Sequence, residues 1–411
     1  MLRTPLWAFF LFLSLFRLEP NTEIAMKMSQ QFFANHSFAR DNAALDLTEL
    51  ARKACWIHQD GAGLYSWLSL GLMAERRLEA IIRQEMDAIG FCETRLSLMQ
   101  DADLWRQSGR LDIYGQELMT LKGRSGRLFC LGATCEELAT SIVKTHYDKT
   151  HMGIGLYQIG NKYRDELRVR GGLARAREFS MKDAYSFHSD AGAAKEAYAS
   201  VRQAYLRIFK RLGLDAEIRA SDNGEIGGAS SEEFLVASAL GTEEAGGERM
   251  LECGHIFDLG DKYSRSMELR GADGSFVHMG CFGIGVSRLA MLMLERQRDE
   301  RGFWGSREFH SFDTVISVVD WSREEHRQSA LEIYAKLREL GMSVLLDDRD
   351  MQAGKKLADA ELIGCRQRVI VSKKSQATGS FELMDRQTME RGDVQACDIV
   401  AACMRDVAGK N

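Results

Sequence analysis

Hydrophobic side chains recur at helical spacing in two long stretches of the chain. From Leu70 to Gly90, the sequence LGLMAERRLEAIIRQEMDAIG places apolar residues every three or four positions with charged residues between them, and Gly90 supplies a stop signal. Ala191 to Leu212 repeats this pattern and ends near Gly213. The spacing predicts two amphipathic helices, each with one face in a core.

Shorter apolar runs that are interrupted by Gly or Asp lie between these helices and after them. Examples are Leu156–Ile159, Ile256–Leu259 and Phe276–Cys281. Runs of this length and punctuation are typical of antiparallel strands. We therefore predict antiparallel strands in this part of the chain.

The pattern changes near Phe312, where β-branched runs begin to alternate with one helical stretch. The predicted elements are strands at Thr314–Val319, Ser343–Leu346 and Val369–Val371 and a helix at Arg323–Leu340. Strand–helix–strand alternation predicts a separate parallel or mixed α/β domain. We expect the boundary within residues 300–312.

Composition sets broad limits on the kind of protein. A chain of 411 residues is too long for one small core, so we expect two or three domains. The 45% hydrophobic and 27% charged residues are ordinary for a soluble globular protein, and the net charge of −5 argues against an all-over basic coat but not against a local basic groove. The nine cysteines form no C-x-x-C pair and no zinc spacing, which favours a reducing compartment and no structural metal.

An arginine-rich segment at residues 157–187 carries the strongest chemical signal. It contains Arg164-x-Glu166, a glycine loop with further arginines, and then Arg175-x-x-x-Phe179. The segment resembles motif 2 of the class II aminoacyl-tRNA synthetases, and in detail the version found in prolyl-tRNA synthetases. A charged β-hairpin with solvated arginines is the alternative interpretation.

The resemblance of this segment implies an ATP site, in which positive charge meets the phosphates and a flat group supports the adenine. Arg164 is then expected to contact the α-phosphate and the substrate carboxylate, and Glu166 the edge of the adenine. Arg175 is expected to contact the outer phosphates, and Phe179 to stack on the base.

A second glycine-rich segment, from Gly283 through Gly285 to Arg288, resembles motif 3 of the same class. Glycines let the backbone approach a nucleotide closely, and an arginine at the start of the following helix is expected to meet the terminal phosphate. We assign Arg164 and Arg288 as catalytic. A dinucleotide-binding Rossmann fold is not supported, because no G-x-G-x-x-G opens a βαβ unit here.

The segment Gly63–Gly71, the predicted helix after it and Glu93 resemble motif 1, which forms the dimer in this class. The resemblance therefore implies a homodimer. An amphipathic core helix explains the same pattern, and a helix of this kind both packs and supports dimerisation.

A loop before motif 2, Gly132–Glu137, resembles the Pro-Thr-x-Glu-Glu loop of the prolyl family. Its Thr134 and Glu136 offer a hydroxyl and a carboxylate to a cationic secondary amine, while Arg164 holds the substrate carboxylate. The alternative is structural, because Thr134 followed by Glu137 suits a capping box at a helix N-terminus.

The strands predicted after this loop add two further candidates for the proline pocket. His255 either contacts the substrate or is a satisfied histidine of the sheet, and the residues favour neither. Cys281 is expected to line the pocket without taking part in catalysis, although all the cysteines also suit buried apolar positions. Glu232 replaces a family histidine, so no role is carried onto it.

A short stretch from Leu235 to Leu251 lies where many bacterial relatives carry a domain that removes mischarged alanine. The chain thus resembles the short form of the family, known from mitochondria and some bacteria, and we expect no editing in cis. A pocket that accepts proline rejects alanine only modestly, by about 1–3 kcal/mol per missing methylene. A separate editing protein is therefore an expected partner.

The segment from Leu345 to Gly364 resembles the anticodon-binding domain of class IIa synthetases. A basic cluster in and after it is suited to tRNA phosphates: Lys355, Lys356, Arg366, Arg368, Lys373 and Lys374. Among these, Lys355, Lys356 and Arg368 are the candidates for tRNA contacts. A solvated face of an α/β domain is the alternative for about half of the lysines.

Together, the motifs imply a class II catalytic domain of α+β type, an antiparallel sheet flanked by helices, at residues 26–305. An α/β anticodon-binding domain is expected at residues 306–411. The implied activity joins L-proline to proline tRNA through a prolyl-adenylate, with ATP and Mg²⁺, without zinc and away from the membrane, in the cytoplasm or an organelle. The alternatives are a paralogue that delivers activated proline to another acceptor and an inactive tRNA-binding or regulatory paralogue.

The first residues need a separate interpretation. Leu6–Phe16 is an apolar run behind Arg3 that is too short for a confident membrane span and resembles the core of a signal peptide. Met26 opens a stretch that resembles the start of bacterial prolyl-tRNA synthetases, so we expect it to be the working start. Residues 1–25 are then an over-extended reading frame or an organelle-targeting extension.

Proline is almost absent, and its two occurrences, Pro5 and Pro20, lie in that extension. The resemblance places other residues where the family has proline: Ala34, Ser69, Ser97, Asp101, Ala133, Gly153, Val169, Ser311, Ala353 and Arg366. Each such loss typically costs about 0.4–1 kcal/mol of stability, so we expect compensating changes. A chain without proline is expected to be made even when charged prolyl-tRNA is scarce.

Overall fold

The structure, a computed structural model, describes residues 26–31, 42–148, 150, 152–245 and 247–408. These residues fall into two compact units. The large unit contains residues 42–311 and 361–364, and the small unit contains residues 26–31, 312–360 and 365–408. In the part of the chain that is described, no helix is both long enough and apolar enough to cross a membrane.

An eight-stranded sheet forms the middle of the large unit, which also contains a three-stranded sheet and a hairpin. In chain order the strands are β1 (Ile57–Gly61), β2 (Leu64–Trp67), β3 (Cys92–Glu93), β4 (Met99–Asp101), β5 (Thr120–Lys122), β6 (Leu128–Leu131), β7 (Ile154–Tyr163), β8 (Glu178–His188), β9 (Glu217–Ser221), β10 (Ser230–Ala237), β11 (Glu243–Ala245), β12 (Glu248–Gly260) and β13 (His278–Gly285).

The order across the large sheet is β3-β7-β8-β13-β12-β10-β9, and β11 pairs with β12. Every pair is antiparallel except β3 with β7. The antiparallel strands predicted from the sequence are confirmed within β7, β12 and β13, although β13 begins at His278, two residues after the predicted start.

Helices of the large unit cover the sheet and its edges. They are α1 (Leu47–Lys53), α2 (Ser69–Ala88), α3 (Ala102–Gln107), α4 (Arg110–Tyr114), α5 (Glu136–His146), α6 (Ala191–Arg211), α7 (Lys262–Ser266) and α8 (Val286–Arg296). The two long predicted helices are confirmed as α2 and α6. Each ends just before a glycine in the left-handed region, Gly90 with φ of 80° and Gly213 with φ of 68°, as the sequence signals indicated.

A smaller layer of the large unit consists of the three-stranded sheet β4-β6-β5 with α3 and α4. Its core packs Trp105 edge-on against Tyr114, next to Cys130. This layer positions Arg110 at the first turn of α4.

The small unit is a mixed α/β domain, as predicted. Its elements are β14 (Thr314–Val318), α9 (Glu324–Glu339), β15 (Val344–Asp347), α10 (Ala353–Leu362), β16 (Gln367–Val371), α11 (Lys373–Thr378), β17 (Ser380–Asp385), β18 (Arg391–Gln395) and α12 (Ile399–Ala408). In the order β15-β14-β16-β17-β18, the first three strands are parallel and the last two pairs are antiparallel.

Residues 26–31 lie along the free edge of this small sheet. Lys27 forms a parallel bridge with Leu346, and the Leu346 amide donates to the Met26 carbonyl at 3.0 Å. Met28 is completely buried there. The segment therefore covers an edge that would otherwise expose unpaired backbone groups.

Three positions where the resemblance implied a family proline make contacts that proline cannot make. The Asp101 carboxylate accepts from a backbone amide and caps α3, and the Ser311 hydroxyl donates to the Ile363 carbonyl at 3.1 Å. The Arg366 amide donates to the Phe312 carbonyl at 3.1 Å, a bond that needs an N–H. Whether these hydrogen bonds offset the loss of the prolines stays a prediction.

Candidate active site

The predicted site residues come together in one cleft on a face of the eight-stranded sheet. The cleft encloses about 860 Å³ of space free of atoms. Every residue predicted for the ATP and proline sites lines it except Glu136. These residues are Thr134, Arg164, Glu166, Arg175, Phe179, His255, Cys281, Gly283, Gly285 and Arg288.

Arg164 lies just after β7, and its backbone amide donates to the Arg177 carbonyl at 2.9 Å. Its guanidinium carbon lies 5.5 Å from the centre of the Phe179 ring, and its Nε is buried without a hydrogen-bond partner among the described residues. Burial alone would lower the pKa of Arg164, but Tyr114 and nearby carboxylates raise it above the usual value. The cleft therefore holds a permanent cation with a donor to spare, which suits an anionic group of a ligand.

Glu166 and Arg175, which the sequence assigned to different parts of the nucleotide, form an ion pair with each other. Arg175 Nε and Nη2 each lie 2.8 Å from Glu166 Oε2. The Arg175 side chain is 41% exposed, so the pair is partly solvated. If a nucleotide binds as predicted, this ion pair has to break, and each of the two side chains then contacts the nucleotide instead.

Arg288 is the third residue of α8, directly after β13, as motif 3 predicted. Its Nε donates to the Ala174 carbonyl at 2.9 Å, and its Nη1 donates to the Glu252 carbonyl at 2.6 Å. Two backbone carbonyls thus fix the guanidinium at the edge of the cleft.

Glu252 is a cleft residue that the sequence interpretation did not assign. Its carboxylate lies 3.2 Å from Arg288 Nη1 and 3.1 Å from His255 Nδ1. Burial would raise the pKa of Glu252, but the hydrogen bond with His255 and the charges of Arg288 and Arg164 lower it to about 2. A usable sequence signal was its place three residues before His255, which was itself assigned as a candidate.

Among the described residues, Glu233, Glu252 and His255 are the one group of three whose potential metal-ligand atoms lie within 4.8 Å of one another. Mg²⁺ in nucleotide sites takes one or two protein carboxylates together with phosphate oxygens and waters. The two carboxylates of this group fit that donor set, while the imidazole is a ligand that Mg²⁺ seldom takes.

The Thr134 loop does not form the capping box that was the alternative prediction. Helix α5 begins at Glu136 after Cys135, which makes no side-chain cap. Thr134 Oγ1 instead lies 2.7 Å from both oxygens of Glu136 and 3.3 Å from the Tyr185 hydroxyl. Thr134 lines the cleft, and its contact with a substrate amine stays a prediction.

Glu136 is completely buried and lies behind the lining of the cleft, which corrects the prediction of direct contact with a substrate amine. Its carboxylate accepts from Arg110 Nη1 at 2.9 Å and from the Cys281 thiol at 3.0 Å, in addition to Thr134. Burial alone would raise the pKa of Glu136, but Arg110 and these hydrogen bonds hold it below the usual value. Thr134 and Cys281 stand between this anion and the cleft.

Asp183 and Lys162 extend the buried polar network, and the sequence interpretation missed both. Lys162 Nζ lies 2.7 Å from Asp183 Oδ1, and the Tyr185 hydroxyl donates to Asp183 Oδ2 at 2.7 Å. Asp183 itself lines the cleft. Strand alternation from Phe179 was a usable signal, because residues two and four positions further on lie on the same face.

His255 and Cys281 both line the cleft. The His255 ring stacks on Phe257 with the centroids 3.9 Å apart, and its Nδ1 faces Glu252, so the residue is both a cleft residue and a partnered one. Burial raises the pKa of the Cys281 thiol well above the usual value. A thiol that stays protonated suits the predicted lining role, because only a thiolate is strongly nucleophilic.

Two of the three predicted tRNA contacts are not accessible. Lys356 is buried and donates to the Val318 carbonyl at 2.6 Å, and Arg368 is buried and donates to the Leu357 carbonyl at 3.1 Å. Both side chains point into the core of the small unit, so neither reaches an RNA phosphate from its position. Lys355 is exposed, and its contact with tRNA stays a prediction.

Comparison with known proteins gives consistent matches for both units. Residues 119–297 match the family described as tRNA synthetase class II core domain (G, H, P, S and T), and residues 313–404 match the family described as anticodon binding domain. The proline–tRNA ligase of Phenylobacterium zucineum is 35% identical, over 89% of this chain and 97% of the relative. The proline–tRNA ligase of Methylobacterium radiotolerans is also 35% identical, over 92% of this chain and 100% of the relative.

A solved structure supports the fold. The prolyl-tRNA synthetase of Cryptosporidium parvum, complexed with halofuginone and AMPPNP, superposes with a TM-score of 0.76 at 15% identity, over 88% of this chain and 75% of that chain. At this identity the likeness is evidence of a shared fold alone. Since the curated relatives match over nearly their whole length and the motif residues share one cleft, the chain belongs to the proline–tRNA ligase family of class II aminoacyl-tRNA synthetases.

Proposed function

We propose that this protein joins L-proline to proline tRNA, first forming prolyl-adenylate from ATP and then esterifying the terminal ribose of the tRNA. The observation that carries the proposal is the cleft itself. It brings the residues of motif 2, motif 3 and the Thr134 loop to one place. The cation Arg164 lines this cleft, and the buried anion Glu136 contacts two of its lining residues, Thr134 and Cys281.

This charge arrangement matches the two charged groups of an amino acid. The carboxylate of proline binds near Arg164, and its secondary ammonium binds against Thr134, with the negative charge of Glu136 behind it. Activation then joins a carboxylate oxygen to the α-phosphorus of ATP and breaks the bond to pyrophosphate. The carboxylate is already ionised at neutral pH, so this step needs positioning and charge stabilisation more than a general base.

The nucleotide binds at the other end of the cleft, with Arg288 at the terminal phosphates and Phe179 beneath the base. Glu166 and Arg175 leave their mutual ion pair to contact the adenine and the outer phosphates. Glu252 and Glu233 are the protein carboxylates that would hold a Mg²⁺ ion accompanying the ATP, and the ion would neutralise charge on the phosphates.

Three partners complete the proposal. A second copy of the chain binds through the motif 1 region, where Leu64, Leu98 and Met99 expose apolar surface. The small unit binds the anticodon arm, with Lys355 as a phosphate contact. Strand β11 and the paired ends of β10 and β12 lie within Leu235–Leu251, a segment too short for an editing domain. A separate protein therefore removes mischarged alanine.

We also propose that the protein acts in the cytoplasm. All nine cysteines are free thiols in the structure, as a reducing compartment favours.

Proline-dependent exchange of pyrophosphate into ATP tests the first step. We expect exchange that saturates with proline, with alanine as a weaker substrate. No exchange at saturating proline would refute the proposal. Charging of purified proline tRNA then tests the second step, and exchange without charging would indicate a different acceptor for the activated proline.

A further inference from the structure

Arg110 lies behind the amino-acid end of the cleft, in a place that sequence reasoning did not single out. It is the first residue of α4 and follows Gly109, whose φ of 76° reverses the chain after α3. Its side chain is completely buried. The rings of Trp105, Tyr114 and Tyr263 surround the guanidinium with their centres 4.9–5.5 Å away.

This guanidinium binds two adjacent carboxylates at the start of α5. Arg110 Nη1 donates to Glu136 Oε2 at 2.9 Å and to Glu137 Oε1 at 3.0 Å. Glu137 also accepts from the Ser108 hydroxyl at 2.6 Å. Of the two carboxylates, Glu136 alone reaches residues that line the cleft.

The charges of this group do not cancel. One guanidinium and two ionised carboxylates sum to −1, and burial together with the charge of Glu136 raises the pKa of Glu137. The pKa of Glu136 is held below its usual value despite burial, chiefly by Arg110. The anionic character of the group is therefore concentrated at Glu136, next to Thr134.

We propose that Arg110 is a positioning residue for amino-acid recognition: it fixes the Glu136 carboxylate against Thr134 and Cys281, so that the pocket selects a cationic amine. The inference rests on the proposed function and adds a residue that acts on the substrate through Glu136. Arg110 does not itself line the cleft but binds Glu136. We therefore expect its loss to weaken binding of the amino acid and not of ATP.

Other titratable groups face Glu136 and share in its electrostatic environment. They are Tyr114 on α4, Lys162 on β7, Tyr185 on β8, Cys281 on β13, Lys262 and Tyr263 on α7, and Cys135 before α5. Of the groups around Glu136, Arg110 is the cation that donates a hydrogen bond to its carboxylate.

The test measures proline-dependent ATP–pyrophosphate exchange in the full-length protein across pH. We expect Arg110→Met to raise the KM for proline at least tenfold while the KM for ATP changes less than twofold. Binding needs ionised Glu136, so kcat/KM for proline falls as pH falls through the pKa of that group. Loss of Arg110 raises this pKa and moves the acid limb of the profile to higher pH.

Three further variants make the result specific. Arg110→Lys keeps the charge and is expected to restore part of the affinity for proline and part of the acid-limb shift. Arg106→Met is the matched control, because Arg106 lies four residues earlier, on α3, with an exposed side chain. It should leave both KM values unchanged. Glu137→Gln removes a negative neighbour of Glu136, so its acid limb should move to lower pH, the opposite direction.

The outcomes separate the two proposals. A wild-type protein without proline-dependent exchange refutes the proposed function. Normal wild-type exchange with equal changes in both KM values and an unmoved acid limb in Arg110→Met would show a merely structural role and overturn the inference. If Arg110→Met does not fold, Glu137→Gln decides, and an acid limb that stays in place or moves upward overturns the inference.

Discussion

The part of the cleft that we propose for the nucleotide and the part that we propose for the amino acid, its two proposed ends, hold their charged groups in different ways. At the nucleotide end, Arg175 is 41% exposed and pairs with Glu166, and Arg288 is 29% exposed and rests on backbone carbonyls. At the amino-acid end, Arg110 and Glu136 are completely buried, and Arg110 Nη1 lies 2.9 Å from Glu136 Oε2. The arginines at the nucleotide end can replace their protein partners with phosphate oxygens, whereas the ion pair at the amino-acid end is already formed before a substrate binds.

The difference follows from what each end has to recognise. A triphosphate carries several charges and arrives with its own counter-ion, so partly solvated arginines suit it at little cost in stability. A single ammonium on a small ring must be distinguished from similar amines, and a buried, fixed carboxylate offers that precision at the cost of desolvation. We therefore expect substitutions at the two ends to separate into effects on ATP and effects on proline.

The largest expected effect is that of Arg288→Met at the nucleotide end. It removes a fixed cation from the place where we expect the terminal phosphates, so kcat/KM for ATP should fall on the order of 10²- to 10³-fold. Steady-state exchange kinetics measure it. Arg296→Met on the same helix is the control, since Arg296 donates to the carbonyl of Ala237 at the exposed end of α8. An equal loss in both variants would contradict the assignment.

Glu136→Gln is the corresponding change at the amino-acid end. It removes the charge that accepts from Thr134, Cys281 and Arg110, so kcat/KM for proline should fall by about 10- to 150-fold, the equivalent of 1.5–3 kcal/mol for a charge-assisted hydrogen bond. The KM for ATP should stay the same, and the melting temperature should fall. Glu232→Gln, which disturbs a half-buried pair with Arg202 outside the cleft, is the matched control.

A smaller effect is expected for Arg175→Ala. Because this arginine is partly exposed, its loss should raise the KM for ATP by about tenfold and change the free energy of unfolding by less than about 1 kcal/mol. Exchange kinetics and thermal melting of the same sample check both parts. Arg177→Ala in the same loop is the control. A drop in melting temperature as large as that of Glu136→Gln would break the contrast between the two ends.

The smallest effect lies outside both ends and gives a baseline for stability alone. Ser69 is exposed at the first position of α2, and Leu68 before it is extended with ψ of 173°, a conformation that suits the residue before proline. Ser69→Pro should add about 0.4–1 kcal/mol to the free energy of unfolding, measured by denaturant titration, without changing either KM. Gly153→Pro, at a backbone φ of 145°, should destabilise instead.

Local features of the fold could be predicted from the sequence, but the burial of charged side chains could not. Helix α2 and its end at Gly90 follow from spacing and a stop residue, and the position of Arg288 follows from motif 3. In the sequence, Lys356 cannot be distinguished from a surface lysine, although tertiary packing buries it in a core.

The same limit applies at the amino-acid end of the cleft. Thr134 and Glu137 have the spacing of a capping box, but Arg110 holds Glu137 and Thr134 bonds to Glu136. The partner that decides this geometry lies 26 residues away from Glu136 in the chain. No local pattern reveals such a pairing, so Arg110 emerged only from the structure.

Each of the two units is built from segments that are not continuous in the sequence, and this limits where the chain can be divided. The large unit needs Glu361–Gly364, where the Ile363 carbonyl accepts from Trp56 Nε1 at 3.2 Å, and the small unit needs Met26, which pairs with Leu346. A cut near residue 311 would leave both fragments without a piece that belongs to them. Exchange of residues 312–411 between relatives must therefore carry compatible N-terminal residues along, because each unit contains residues from both sides of the cut.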